Sequence, residues 1–165
     1  MSYRISNTKS TVAKLLYNPF HAFSFGFGLG LLPKAPGTYG TLAAFPIYIV
    51  LVRFSTMTYC IVLLILLLAA IYTVSYTSKA LHNHDDSRIV CDEFVAYLLV
   101  LLFTKQTAFF MLLSFVMFRF FDIVKPWPIN LIDSKVEGGY GIVLDDIIAA
   151  IYSIFIIIAL QSLLS

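Results

Sequence analysis

The run MTYCIVLLILLLAAIYTVSY, residues 57–76, contains no charged side chain. Twenty residues of α-helix rise about 30 Å, the thickness of a bilayer's hydrocarbon core. This stretch predicts a membrane-spanning helix. The rest of the chain agrees with it: of 165 residues, 60% are hydrophobic and 12% charged, with a mean hydropathy of +0.90. A soluble domain carries about 25% charged residues. There is too little polar side chain here to cover a surface in water, so lipid is the expected solvent. At this length one membrane-embedded domain over 1–165 is expected.

Working outward, residues 142–164 form a second long apolar stretch, entered through Asp145 and Asp146. Three further candidates are shorter or interrupted: 41–52, 94–103, and 107–124 with Arg119 and Asp122 inside it. The shortest suit half-buried or tilted helices shielded by their neighbours. Segment 20–32 is apolar, but Gly26, Gly28 and Gly30 disfavour a lipid-facing helix there, so it is expected to re-enter or pack tightly. The prediction is all-α: a polytopic membrane helical bundle of about five apolar helices. Residues 1–18 form a basic segment suited to the membrane surface, without the apolar core and cleavage site of a signal peptide. Cys60 and Cys91 follow no metal or disulfide spacing and read as packing residues.

Alternating the five candidates across the membrane sorts the charges. The N-terminal side receives Arg4, Lys9, Lys14, Lys34, Lys79, Arg88, Lys125 and Lys135, against Arg53 and Lys105 opposite. The positive-inside rule then places the N-terminus in the cytoplasm. All nine acidic residues fall in or near the same cytoplasmic loops, as a single site at that face would require. No Lys/Arg-rich run is present, so nucleic acid is not an expected partner. No obligate protein partner is expected either.

Four polar stretches interrupt the apolar background: PKAPGTYGT (33–41), HDDSRIVCDE (84–93), RFFDIVKPWPI (119–129) and EGGYGIVLDD (137–146). Ionisable groups near apolar helices are costly unless paired or functional. Asp92, Glu93, Asp122, Asp145 and Asp146 supply oxygen ligands, which suit a hard cation such as Mg²⁺. Neighbours on a helix point about 100° apart, so one member of each acidic pair would bind metal and the other orient water or meet a cation. Arg119, Asp122 and Lys125 recur every three residues, along one face of a helix that Pro126 and Pro128 must end. Arg119 can grip a phosphate bidentately, and Lys125 adds a point charge. Lys34 and Thr38, together with Gly138 and Gly139, could approach the same anion, although simple caps and turns fit them equally. His84 beside Asp85 is a candidate general acid.

This ordered set resembles the phosphatidylglycerophosphatase A family of bacterial inner-membrane enzymes. The resemblance runs through Pro36-Gly37-Thr38 with Gly40, His84-Asp85, Asp92-Glu93-Phe94, Arg119 to Ile129, and Gly138-Gly139-Tyr140-Gly141-Ile142 to Asp145-Asp146. It covers nearly the whole chain from about Asn18. Three positions depart from the family's pattern: Ala96 stands where Gly is expected, Glu137 where some relatives carry His, and Asp86-Ser87-Arg88 in a loop usually richer in Gly. The resemblance implies Mg²⁺-dependent removal of the terminal phosphate of phosphatidylglycerophosphate; because a metal lowers the pKa of bound water, water is the expected nucleophile, with an Asp as the alternative. Two other functions share parts of this pattern. A phospho-alcohol headgroup transferase would need an Asp-Gly-x2-Ala-Arg signature, which is absent. A small carboxylate-lined ion transporter would place acids at mid-membrane or on both faces.

Overall fold

The computed structural model describes residues 14–83, 86–136 and 138–164, and every regular element among them is helical. In chain order these are α1 (Pro19–Ser24), a 3-10 segment (Gly26–Leu31), α2 (Pro36–Leu42), α3 (Ala44–Leu51), α4 (Thr56–Leu81), α5 (Cys91–Leu102), α6 (Ala108–Val124), α7 (Ile129–Lys135) and α8 (Gly139–Leu163). Helices α4 and α8, of 26 and 25 residues, are long and apolar enough to cross a membrane.

Local chemistry sets the boundaries. Ser55 caps α4 by accepting from the Thr58 amide at 3.2 Å, and Thr107 caps α6 by accepting from the Phe110 amide at 3.4 Å. Helix α6 ends as the sequence requires: Lys125 adopts a left-handed conformation at φ 45° and Pro126 follows, so the helix cannot continue. The 20–32 segment does not form a single helix. Gly26 and Gly28 take positive φ and divide it into α1 and a tight 3-10 turn.

The shortest of the predicted spans turns out to be the hub. Helix α5 has 12 residues, about 18 Å of rise, and nearly all of it is buried. Its neighbours α3, α4, α6 and α8 surround it. Polar contacts fix their directions. Tyr59 Oη donates to the Leu98 carbonyl at 2.8 Å and Thr73 Oγ1 lies 3.9 Å from Cys91 Sγ, so α4 and α5 are antiparallel. Tyr97 Oη donates to the Met111 carbonyl at 2.9 Å, joining α5 to α6. Gln161 Nε2 donates to the Phe103 carbonyl at 3.0 Å, so α8 ends beside the end of α5.

Around this core the long helices present apolar faces outward. On α4, Met57, Ile61, Leu64, Ile65, Leu68 and Tyr72 are each more than half exposed. An apolar belt of this extent suits lipid and not water. The directions gather the N-termini of α2, α5 and α8 with the C-termini of α4 and α6 at one end. Arg53 and Lys105 lie at the other.

Candidate active site

The gathered helix ends enclose a cavity of about 410 Å³. Helix α5 enters it with Asp92 and Glu93 in its first turn, α8 with Asp145 and Asp146, and α6 leaves it through Arg119, Asp122 and Lys125. Lys34 and Thr38 line it from α2 and the turn before it, and Ser87 and Ile89 from the loop ahead of α5. Nine of the site residues expected from the sequence therefore meet in one place.

The cations are held by carboxylates. Arg119 Nη1 lies 2.6 Å from Asp122 Oδ2 and 3.1 Å from Glu93 Oε1, and it donates to Thr41 Oγ1 at 3.5 Å. Lys125 Nζ lies 2.6 Å from Asp145 Oδ2 and 2.7 Å from Asp133 Oδ1. Burial alone would lower the Lys125 ammonium, but its bonds to Asp133 and Asp145 more than offset this and hold it above the ordinary lysine range. In the neighbouring loop, burial raises the Asp86 carboxyl. The two-pronged contact from Arg88, at 2.7 and 2.6 Å, outweighs that and holds Asp86 below its usual value. This clamp fixes the backbone on either side of Ser87.

Asp92 and Asp146 differ from their neighbours. Both are about 4% exposed, and among the described residues neither carries an ion pair. The Asp92 carboxylate accepts from the Glu93 amide at 3.1 Å. With every group ionised, five carboxylates stand against Arg119 and Lys125, a surplus of three negative charges that Lys34 at the rim only reduces. Unpaired buried charge is strongly unfavourable. The all-oxygen donor set and this surplus both fit a hard divalent cation. As the side chains stand, no three ligand groups among the described residues converge on one ion. Three of the five carboxylates are turned toward Arg119 and Lys125 instead.

The structure moves two expected site residues elsewhere. Gly138 and Gly139 line a separate cleft with Ser75, Ser78, Lys79 and His82, and not the acidic cavity. A Cβ at Gly139 would fall 2.2 Å from Ser75 Oγ, so this glycine permits close packing of α8 on α4. His84 and Asp85 lie outside the described residues, as does Glu137.

Other contributors were not singled out from the sequence. Asp133 reaches Lys125 only because the chain reverses through Pro126–Pro128, which hides the pairing from any helical spacing. Gly37 and Gly40, three apart on α2, did carry a signal of close approach. A Cβ at Gly37 would sit 2.1 Å from Glu93 Oε1, and one at Gly40 2.8 Å from Glu93 Oε2. Among the described residues Glu93 Oε2 and Arg119 Nε are buried without a hydrogen-bond partner, and the part-buried ion pair of Glu93 with Arg119 leaves it little freedom to retreat. Gly37→Ala should therefore cost about 1–3 kcal/mol by overpacking, read as a lower thermal unfolding midpoint. An unchanged midpoint would show that Glu93 yields easily.

Comparison with known proteins places this cavity in a family. A family model described as Phosphatidylglycerophosphatase A matches residues 22–161. A Haemophilus influenzae protein named Phosphatidylglycerophosphatase A is 38% identical over 148 residues, covering 88% of this chain and 91% of that protein. The Escherichia coli protein of the same name is 37% identical over 82% of this chain and 80% of its own length. A Bacteroides thetaiotaomicron protein, provisionally named a phosphatidylinositol-3-phosphatase, is 35% identical over 81% of this chain and 87% of its own. No solved structure matches. The family match spans the acidic cavity from Thr38 to Asp146 and most of the helices around it, and the chain belongs to the phosphatidylglycerophosphatase A family of phosphatases.

Proposed function

We propose that this protein is a multi-pass enzyme of the bacterial inner membrane that removes the terminal phosphate of phosphatidylglycerophosphate. The products are phosphatidylglycerol and inorganic phosphate, a step of phospholipid biosynthesis, and Mg²⁺ is the cofactor. One observation carries the reading: a cavity with an excess of buried carboxylates and two anchored cations, at the end of an apolar bundle, in a chain 38% identical to a protein of that name.

Five segments cross or enter the bilayer in this account: α2–α3, α4, α5, α6 and α8. The described helices share one hydrophobic core, which supports a single membrane-embedded domain. Lys34, Lys79, Arg88, Lys125 and Lys135 all belong to the cavity end, and this bias supports a site facing the cytoplasm.

The carboxylates divide by partner. Asp92 and Asp146, which carry no ion pair among the described residues, would hold Mg²⁺, with Asp122 joining them when Arg119 turns to substrate. A Mg²⁺ ion held by these residues would supply Lewis-acid charge at the phosphate and lower the pKa of water there. Glu93 positions Arg119, and Asp145 with Asp133 positions Lys125. Arg119 offers its fork to the equatorial phosphate oxygens, where transition-state charge spreads, and Lys125 adds its point charge. Without a bound cation, the negative surplus would repel a phosphate dianion. That repulsion is the physical reason for a metal requirement.

The test is phosphate release by purified protein in detergent with Mg²⁺. Phosphatidylglycerophosphate, phosphatidylinositol-3-phosphate and phosphatidate would be compared. Release is expected to be fastest from phosphatidylglycerophosphate. A preference for the inositol lipid would reassign the substrate, and no release from any would defeat the reading.

A further inference from the structure

We infer that an apolar groove between α2–α3 and α6 seats one acyl chain of the lipid whose phosphate occupies the acidic cavity. This rests on the lipid-phosphatase reading above. The groove has a volume of about 430 Å³ and is lined by Thr38, Leu42, Phe45, Ala108, Met111, Leu112 and Phe115.

Its walls follow from helical spacing. Thr38, Leu42 and Phe45 fall at i, i+4 and i+7, running away from the cavity. Ala108, Met111, Leu112 and Phe115 fall at i, i+3, i+4 and i+7, returning toward it. Both α3 and α6 pack on α5 and hardly on each other, which leaves the gap open. Behind the walls the buried Tyr97 bridges them, with edge contacts to Phe45 at 5.7 Å and to Phe115 at 5.9 Å between ring centroids. From Ala108 to Phe115 the wall rises roughly 10 Å.

The occupant is decided by what the groove joins. Thr38 lines both the groove and the acidic cavity. Arg119 lies one helical turn beyond Phe115 and donates to Thr41 on α2. A molecule filling both spaces must carry phosphate at one end and hydrocarbon at the other, which describes a membrane phospholipid lying along the bundle. The groove opens outward through the exposed Leu42 and Leu112, so the chain can enter from the bilayer.

The test uses two phosphate esters with the same headgroup, one a dioleoyl lipid and the other its deacylated, water-soluble form, on the full-length protein with Mg²⁺. Leu42→Trp and Leu112→Trp fill the groove from exposed positions. For the dioleoyl substrate, KM should rise about ten-fold, on the order of two lost buried methylenes. The maximal rate on the dioleoyl substrate should hold, because the lost contact is equal in ground and transition states, and all constants for the deacylated substrate, which has no chain to seat, should stay as in the wild type. Equal behaviour of variants and wild type toward both substrates would overturn the groove and leave the phosphatase reading standing. Wild-type protein inactive on both would overturn that reading itself. Should a variant lose both activities, wild-type protein labelled by a dioleoyl phosphate bearing an acyl diazirine decides. Labels at Met111 and Phe115 support the groove, and labels spread evenly over Leu64 and Ile65 of α4 overturn it.

Discussion

Asp92→Asn and Asp146→Asn, each made alone, should slow phosphate release by more than about a hundred-fold, with the thermal unfolding midpoint held or raised. Among the described residues these are the two cavity carboxylates without an ion pair, and both are about 4% exposed. Replacing either with an amide removes a buried negative charge, which relieves repulsion in the resting protein. The same change removes an oxygen ligand from the proposed metal site. Loss of activity without loss of stability distinguishes a functional charge from a structural one. Asp145→Asn should behave differently, because Asp145 pairs with Lys125 at 2.6 Å and its loss leaves that ammonium to Asp133. Its activity should fall less, and mainly through a raised KM.

The largest stability effect is expected at Arg119. Its guanidinium serves Glu93 and Asp122, with the three side chains only 13–16% exposed. Removing one partner of such a cluster leaves uncompensated buried charge, at a cost of about 3–5 kcal/mol. Arg119→Gln should therefore lower the unfolding midpoint in detergent markedly and abolish phosphate release. Pairing it with Glu93→Gln removes one stranded carboxylate, so part of the stability should return while activity does not. Arg119→Lys keeps the charge but loses the fork, and kcat/KM should fall about ten- to a hundred-fold with little unfolding. Full activity in Arg119→Lys would mean that charge alone matters at this position.

Much of the architecture could be read from residue order. The uncharged run 57–76 and the stretch 142–164 became α4 and α8 because twenty apolar residues leave few other options. The end of α6 was legible from Pro126. Helix α5 was harder: twelve apolar residues cannot reveal whether they face lipid or protein, and here its burial comes entirely from the helices around it. The grouping of Asp92, Asp122 and Asp146 with Arg119 and Lys125 could be anticipated because charge is rare in this chain and alternation brings it to one side. Gly138 and Gly139 illustrate the limit. A glycine pair before a helix serves an anion cradle or a close helix contact equally well, and only the position of Ser75 separates the two. Asp133 was hidden for the opposite reason, since its partner Lys125 lies across a chain reversal.

The negative surplus of this cavity should make a divalent cation necessary before a lipid phosphate can enter. Phosphate release from phosphatidylglycerophosphate by purified protein, stripped of metal and then titrated with Mg²⁺, tests it most directly. No release is expected without metal, with saturable recovery on adding Mg²⁺ and no recovery at the same concentrations in Asp146→Asn. Full release in chelator, or an Asp146→Asn titration that matches the wild type, would contradict it.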